Sequence, residues 1–488
     1  MVKSFAVGGE EMIESRRYEL SMLAKEFFPE AEISEDAPEY LFMYSDACWS
    51  LYGPVTASSA GRELLAKYPN GQIPPMTFAG GDPLKNRMKQ GLYGLLSEWT
   101  GRALPWGILT GVKPVKLAVS ILNAGRSRTE TETILQDEYR LSPNKTDLLL
   151  ETASREIELL SGDSRDGREW AIYIGIPFCP TRCAYCSFVS YDYNMLGDLM
   201  DRYADALVEE IRACGELAAG RRITSLYMGG GTPTSLSAQQ LDRVLTEADR
   251  AFRLDQIPEA TVEAGRPDTI TVDKLKVLAA HGIGRISVNP QTMNQKTLDR
   301  IGRRHTVEDV IRAYEMARSE GFDNINMDLI MGLPGETVQD VQHTVQEIRR
   351  LAPDSLTVHS LAIKRSSRLK ETGLYSDAPA EAIEQMLALG QETAAALGMK
   401  PYYLYRQKNM AGNFENTGYC TPGKECMYNI EIMEEKQNIC AMGAGSVSKV
   451  YDPSRDRIDR ISNVKNAGDY IGRLAEMIGR KRKGFGGL

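Results

Sequence analysis

A chain of 488 residues with 42% apolar content can bury a sizeable core and is long enough for two to four domains. Its 58 basic and 66 acidic residues leave a net charge of −8, which excludes a broad electrostatic attraction to nucleic acid or an anionic membrane but not a local basic site. The first residues run quickly into Glu10, Glu11 and Glu14 without the apolar stretch of a signal peptide. Apolar runs such as 117–122 fall far short of the roughly 20 residues of a membrane span, so a cytoplasmic chain is expected.

In chain order, residues 1–165 read as an accessory α/β region, with an aromatic segment at 40–52 and helical stretches at 83–99 and 144–160. The polar, glycine-bearing stretch 161–167 is the expected linker. From Trp170, short β-rich runs alternate with amphipathic helical ones, the pattern of a parallel α/β layer structure. Strands are expected at 171–176, 225–228, 260–263, 285–289, 324–330 and 355–360, and helices at 199–217, 238–252, 272–281, 307–320, 338–351 and 381–397. The fold class is therefore α/β: a partial (β/α)6 barrel over residues 166–400, laterally open, with its polar motifs at the carboxyl ends of strands, where such folds gather ligands. Residues 401–488 form a C-terminal α+β region expected to cover the substrate, carrying Tyr402, Tyr403, Tyr405 and Gly443-Ala-Gly445. Its basic stretch 480–483 reads as solvated surface.

The chemistry is concentrated in cysteine. Three of the eight cysteines fall within eight residues, in Gly175-Ile-Pro-Phe-Cys179-Pro-Thr-Arg-Cys183-Ala-Tyr-Cys186, the loop after the first expected strand. Three soft thiolates suit an iron–sulfur cluster; without a fourth cysteine nearby, a [4Fe–4S] cluster would keep one iron open, as catalytic sites do. A zinc site, which usually wants a fourth ligand, and three unligated cysteines are the alternatives. The second strand leads to Gly229-Gly-Gly-Thr-Pro-Thr234, where absent side chains let backbone N–H and C=O groups approach a ligand. Glu263, Asn289-Pro-Gln291 and Asp328 put polar side chains at or near three further strand ends. Burying such charges without partners costs several kcal/mol, so each is either a structural cap or a ligand group.

The cysteine spacing after a strand, with Tyr185 before the last thiol, resembles the signature of the radical S-adenosylmethionine (SAM) superfamily. There the open iron takes the amino and carboxylate groups of SAM, and electron transfer yields methionine and a 5′-deoxyadenosyl radical. The succession Tyr173-Ile-Gly-Ile-Pro-Phe-Cys179, 229–234, Glu263, Arg285-Ile-Ser-Val-Asn-Pro-Gln291, Leu298-Asp-Arg-Ile-Gly-Arg303-Arg-His305, 328–334 and Gly443-Ala-Gly445 is similar to the family of oxygen-independent coproporphyrinogen III dehydrogenase. That family includes heme chaperones descended from it. The additional N-terminal region and Leu109-Thr-Gly-Val-Lys-Pro114 look most like its longer, HemZ-type homologues.

The resemblance implies a [4Fe–4S] cluster on Cys179, Cys183 and Cys186. It also implies SAM contacts from Tyr173, Tyr185, Gly230, Gly231, Thr232, Glu263, Gln291, Arg303, Asp328, Ile330, Ala362 and Val447, with Tyr173 catalytic as well. The reaction it implies is oxidative decarboxylation of two propionates of coproporphyrinogen III to the vinyls of protoporphyrinogen IX in heme biosynthesis, with an electron donor such as flavodoxin or ferredoxin. A heme-binding or heme-transfer protein that retains the cluster, and a radical enzyme acting on heme or another tetrapyrrole, are the rival readings. Arg182, Lys364, Arg365, Arg368, Arg406 and Lys408 are candidates for substrate carboxylates, and His305 and His359 for tetrapyrrole contacts. His281 and His343 read as structural.

Two motifs depart from the family. Cys186 is followed by Ser187-Phe188, where the dehydrogenases place a fourth cysteine, and Gln407-Lys-Asn-Met-Ala-Gly-Asn413 lacks the histidine and tryptophan of the chaperones' H-N-x-x-Y-W motif. The spacing of Cys420, Cys426 and Cys440 matches no iron–sulfur pattern, and they read as structural.

Overall fold

A computed structural model describes every residue except 1, 11, 37, 54–63, 70–75, 78–81, 162–167, 188–190, 193–197, 363–377, 408–413 and 487–488. Most of the expected linker, four of the basic substrate candidates (Lys364, Arg365, Arg368 and Lys408), and all but Gln407 of the segment comparable to the chaperone motif lie outside the described residues. The chain forms two compact units, one of residues 1–157 with 404–415, the other of 158–403 with 416–488.

The first unit holds a five-stranded sheet of β1 (Ser4–Gly9), β2 (Glu32–Ile33), β3 (Tyr40–Ser45), β4 (Cys48–Tyr52) and β5 (Leu64–Pro69), in the order β2-β1-β3-β4-β5. β1 runs parallel to β2 and β3, and β3, β4 and β5 are successively antiparallel. Phe5, Phe42, Phe28 and Trp99 meet edge-on or tilted, fixing the sheet to the helix Pro83–Thr100. Asp82 caps that helix by accepting from the Lys85 amide. The returning segment Leu404–Glu415 is anchored within this unit. Glu415 accepts from Trp106 Nε1 (2.8 Å) and from Lys145 Nζ (2.5 Å), and Arg406 pairs with Glu26 (3.1 Å).

The second unit is built on β6 (Glu169–Ile176), the short β7 (Phe178–Cys179) and β8 (Tyr191–Asp192), β9 (Arg222–Gly230), β10 (Glu259–Gly265), β11 (Arg285–Val288), β12 (Ile325–Met331) and β13 (Ser355–Ser360). Strands β6, β9, β10, β11, β12 and β13 lie side by side in chain order, all parallel, as the six expected βα units require. Their near-continuous burial on both faces explains why they read as apolar runs with no alternation. The crossover helices start on side-chain caps: Ser237 with Gln240, Thr306 with Asp309, and Thr337 with Asp340 form reciprocal capping boxes.

Four further elements extend this sheet to eleven strands among the described residues: β14 (Lys400–Arg406), β15 (Glu415–Cys420), β16 (Asn438–Met442) and the hairpin β17 (Val447–Asp452) and β18 (Arg457–Ser462). β15 pairs antiparallel with β13 at one edge, and β16 pairs parallel with β6 at the other. The sheet is open: β14 and β18 are its two ends.

Candidate active site

Within strands that are largely buried, Tyr173 on β6, Tyr227 on β9, Glu263 on β10, Asp328 on β12 and His359 on β13 are half-buried. Side chains of one inner face of a parallel sheet thus define a polar hollow toward the carboxyl ends of the strands. Tyr173, Tyr227 and Tyr428 stack nearly parallel in it, with ring centroids 6.3 Å apart for the first pair and 4.8 Å for Tyr227 and Tyr428.

Glu263 is the electrostatic centre of the hollow. It accepts from the Tyr227 hydroxyl and from the amide of Gly230. Burial, opposed by the Tyr227 hydrogen bond and reinforced by the charge of Asp328, pushes its carboxyl up to about 7. Burial and the Glu263 charge also push the Tyr173 hydroxyl above the usual phenol range, so it stands as a neutral donor. Asp328 accepts from Asn326 Nδ2 (2.8 Å) and faces His359 Nε2 at 4.0 Å.

The cysteine loop docks beside this hollow. Thr181 Oγ1 donates to the carbonyl of Gly302 (3.1 Å), Ala184 N to Ile301 O (2.9 Å), and Cys186 N to Cys183 O (3.1 Å). Tyr185 and Ala184 pack on Ile301, Ile330, Leu333 and Leu361, so Tyr185 and Ile330 share one apolar contact. Cys179 Sγ lies 3.4 Å from Thr232 Oγ1, joining the loop to the glycine motif.

The glycine motif works differently from the expectation that its amides are offered to a ligand. Gly231 N and Thr232 N donate to the carbonyls of Ile176 and Phe178 (2.7 Å each), so these N–H groups tie β9 to the cysteine loop. A Cβ on Gly231 would lie 2.7 Å from Phe178 O and 2.9 Å from Ile176 O, so glycine is needed for that close approach.

Gln291 is held in the left-handed region at φ 67°, with its amide donating to Asp328 O (2.9 Å) and its carbonyl accepting from Ile330 N (3.0 Å). A non-glycine residue in this region costs on the order of 1–3 kcal/mol and persists where surrounding contacts impose it. Gln291, Asp328 and Ile330 are thereby fixed together. Arg303, 5% exposed, donates to the Asn289 carbonyl and to Cys183 and Tyr185. Its Nε and the Oδ1 of Asn289 are both buried without a hydrogen-bond partner among the described residues. An orphaned cationic donor and an orphaned acceptor, on two residues joined by the bond from Arg303 to the Asn289 carbonyl, could meet a carboxylate and an amino N–H of a ligand. Asn289 is a candidate ligand group that the sequence motif contained but did not single out.

Gly443-Ala-Gly445 is seated against β6 by a buried network. Gly443 N donates to Glu210 (2.7 Å), Ala444 N to the Tyr203 hydroxyl (2.9 Å), and Tyr203 to Gly175 O (2.7 Å). Glu210 also binds Tyr470, Asn463 and Lys481, and Lys481 and Glu210 are fully buried 2.6 Å apart. The stretch 480–483 is therefore not uniformly solvated surface: Lys481 turns inward while Arg480 and Arg482 stay exposed.

Other expected residues lie apart from the cluster of contacts above. Val447 opens β17, 39% exposed and opposite Ser462, and Ala362 is half-buried after Leu361, whose amide donates to Met331 O. His305 is fully buried with Nδ1 3.8 Å from Asp268, and Arg406 is committed to Glu26 and the Leu109 carbonyl inside the first unit, so neither is presented to a tetrapyrrole. His359 bonds Asn416 (3.2 Å) and Arg182 is exposed. Cys420 lies on β15, Cys440 on β16 contacts Cys214, and Cys426 is buried 3.7 Å from Glu259. Among the described residues no three His, Cys, Asp or Glu side chains converge on a single-ion position. A cubane distributes its thiolates over separate irons, so a cluster does not require convergence on one point.

Residues 173–348 match the family model described as the Radical SAM superfamily. The chain is 38% identical over 472 residues to the oxygen-independent coproporphyrinogen-III oxidase-like protein HemZ of Bacillus subtilis, covering 95% of this chain and 94% of that protein. It is 31% identical over 308 residues to the heme chaperone HemW of the same organism, covering 62% of this chain and 76% of that one. The solved structure of coproporphyrinogen III oxidase (HemN) from Escherichia coli superposes with a TM-score of 0.52 at 24% identity, covering 66% of this chain and 72% of that one. It shows the same fold.

Proposed function

The chain belongs to the radical SAM superfamily and, within it, to the oxygen-independent coproporphyrinogen III oxidase-like family, and from that membership we propose that it oxidatively decarboxylates coproporphyrinogen III to protoporphyrinogen IX. In this reading Cys179, Cys183 and Cys186 hold a [4Fe–4S] cluster, and a low-potential one-electron donor of the flavodoxin or ferredoxin type reduces it in the cytoplasm. When bound, the cluster and SAM supply reductive cleavage of a sulfonium C–S bond and hence a hydrogen-abstracting carbon radical.

The chain's own residues bind and orient. Arg303 takes the carboxylate of the SAM methionyl group and Asn289 accepts from an N–H of its amino group, which would satisfy both orphaned atoms. Glu263 and Asp328 accept from ribose hydroxyls, and Tyr173 donates from the floor of the hollow. Gly230, Gly231 and Thr232 hold the cysteine loop at the strand ends, Gln291 and Ile330 form the adjoining wall with Tyr185, and Ala362 and Val447, which lie apart from these contacts, are SAM contacts by the family resemblance alone. Confining the reacting C–H next to the radical source and excluding other hydrogen donors is the protein's contribution to rate and selectivity.

The observation that carries this reading is the convergence of the cysteine loop with the orphaned Arg303 and Asn289 atoms at the end of a polar hollow. Heme binding or transfer is the second reading, favoured by Phe188 standing where the dehydrogenases have their fourth cysteine and by the similarity to a heme chaperone. The deciding experiment is anaerobic. Cluster-loaded protein is incubated with dithionite, SAM and coproporphyrinogen III, and deoxyadenosine and protoporphyrinogen are followed by liquid chromatography and mass spectrometry. Both products are expected. Deoxyadenosine without protoporphyrinogen sinks this substrate, deoxyadenosine coupled to heme loss points to heme as the substrate, and stoichiometric heme binding with neither product supports the second reading.

A further inference from the structure

One buried cation at this end of the sheet has no part in the arrangement proposed above. Arg266, just beyond β10, is 3% exposed. Its Nε and Nη2 donate to the two carboxylate oxygens of Asp268 (2.9 and 2.8 Å), a two-point pair that fixes the plane of the guanidinium. The remaining nitrogen, Nη1, donates to Thr181 Oγ1 (3.1 Å) and to the Sγ of Cys183 (3.6 Å). Behind this pair stands His305, fully buried, with Nδ1 3.8 Å from Asp268. The order of contacts is imidazole, carboxylate, guanidinium, cysteine sulfur. Every nitrogen of Arg266 is committed to protein, which distinguishes it from Arg303 with its orphaned Nε.

We infer that Arg266 is a positioning residue whose N–H···S hydrogen bond to Cys183 raises the reduction potential of an iron–sulfur cluster held by that cysteine. The inference rests on the cluster reading above. One-electron reduction, with the electron supplied by a low-potential donor, adds a unit of negative charge shared by the cluster and its thiolate sulfurs. A cationic N–H donor on one of those sulfurs stabilises the more negative state the more, and burial keeps solvent from screening it. Asp268 holds the fork in place, and the hydroxyl of Thr181, on the same loop as the cysteines, receives the same Nη1 and keeps it aimed at the loop.

The test uses full-length protein, reconstituted anaerobically, as wild type, Arg266→Gln and Arg266→Lys. Iron and sulfide content are measured first, and the reduced cluster is then titrated against potential by electron paramagnetic resonance without SAM. At the wild-type midpoint the ratio of reduced to oxidised cluster is expected to fall about tenfold in Arg266→Gln, with Arg266→Lys, which keeps the charge and one donor, in between. A role limited to anchoring the loop would change cluster content but not the midpoint. Equal midpoints at equal iron content overturn the inference. Should Arg266→Gln fail to hold a cluster, Asp268→Asn, which keeps the arginine but loosens its clamp, takes its place: a lowered midpoint supports the role and an unchanged one overturns it. Wild type that binds no cluster at all sinks the cluster reading itself, and this inference with it.

Discussion

Lys481 Nζ stands 2.6 Å from Glu210 Oε1, with neither side chain exposed to solvent. The pair joins the final helix, Leu474–Phe485, to the helix Leu199–Leu217, and through Glu210 to the amide of Gly443. Removing one member of a buried pair strands the other. Lys481→Met is therefore expected to cost about 3–5 kcal/mol, and the double change with Glu210→Gln to recover part of that loss. Urea unfolding followed by circular dichroism measures both, and a single variant within about 1 kcal/mol of wild type would contradict the burial described here.

Gly231→Ala places a methyl group 2.7 Å from Phe178 O and 2.9 Å from Ile176 O. Both contacts are to backbone and cannot move aside cheaply, so the variant is expected to lose about 1–3 kcal/mol and to shift the glycine motif off the cysteine loop. Calorimetric SAM binding to cluster-loaded protein should weaken at least about tenfold, whereas Gly220→Ala, in an open turn, affects binding little.

Glu263 gives a pH dependence of known sign. Its native pKa of about 7 lies above the ordinary 4.5, so between these values the folded protein holds a proton that the unfolded chain has released. This group's stabilising contribution is present below about pH 4.5 and is lost as pH rises through 7. The ionised carboxylate is the stronger acceptor for a ribose hydroxyl, so SAM affinity should run the other way, weakening by up to about tenfold per pH unit below 7. Titration calorimetry between pH 6 and 8 checks this. In Glu263→Gln the slope should vanish along with most of the affinity.

Within the first unit Glu415 is buried against Lys145 and Trp106. Glu415→Ala leaves the ammonium of Lys145 without its carboxylate, and about 3–5 kcal/mol of local stability should go with it. Hydrogen exchange should speed up first in the helix Pro143–Leu159, with slow amides of β9 and β10 as the internal reference.

The six βα units are legible in the sequence because strands buried on both faces read as apolar runs and the helices between them carry capping signals at their starts. The cysteine loop and Gly229–Gly231 are legible because their spacing is local. What pairing across the chain decides is not legible. Lys481 reads as one more surface cation in Arg480-Lys-Arg-Lys483 because its partner is 271 residues away. Arg266 looks like a turn residue before Pro267 until Cys183 is brought beside it, and Asn289 looks like a strand end until its Oδ1 is found buried without a donor. The strand β16 is short and has no helix before β17, so no βα rhythm marks it, although it completes the edge beside β6.

The dependence of the first unit on Leu404–Glu415 has a consequence in time. On the ribosome, residues 1–157 emerge well before their completing segment, and roughly 250 residues must be added in between, a wait of about 12–50 s at ordinary elongation rates. Through that interval Trp106 and Lys145 have no Glu415 to bury against, so the unit begun first is finished late. A nascent chain halted before residue 404 should therefore expose a protease-sensitive N-terminal unit, and one halted after residue 415 has cleared the exit tunnel should not.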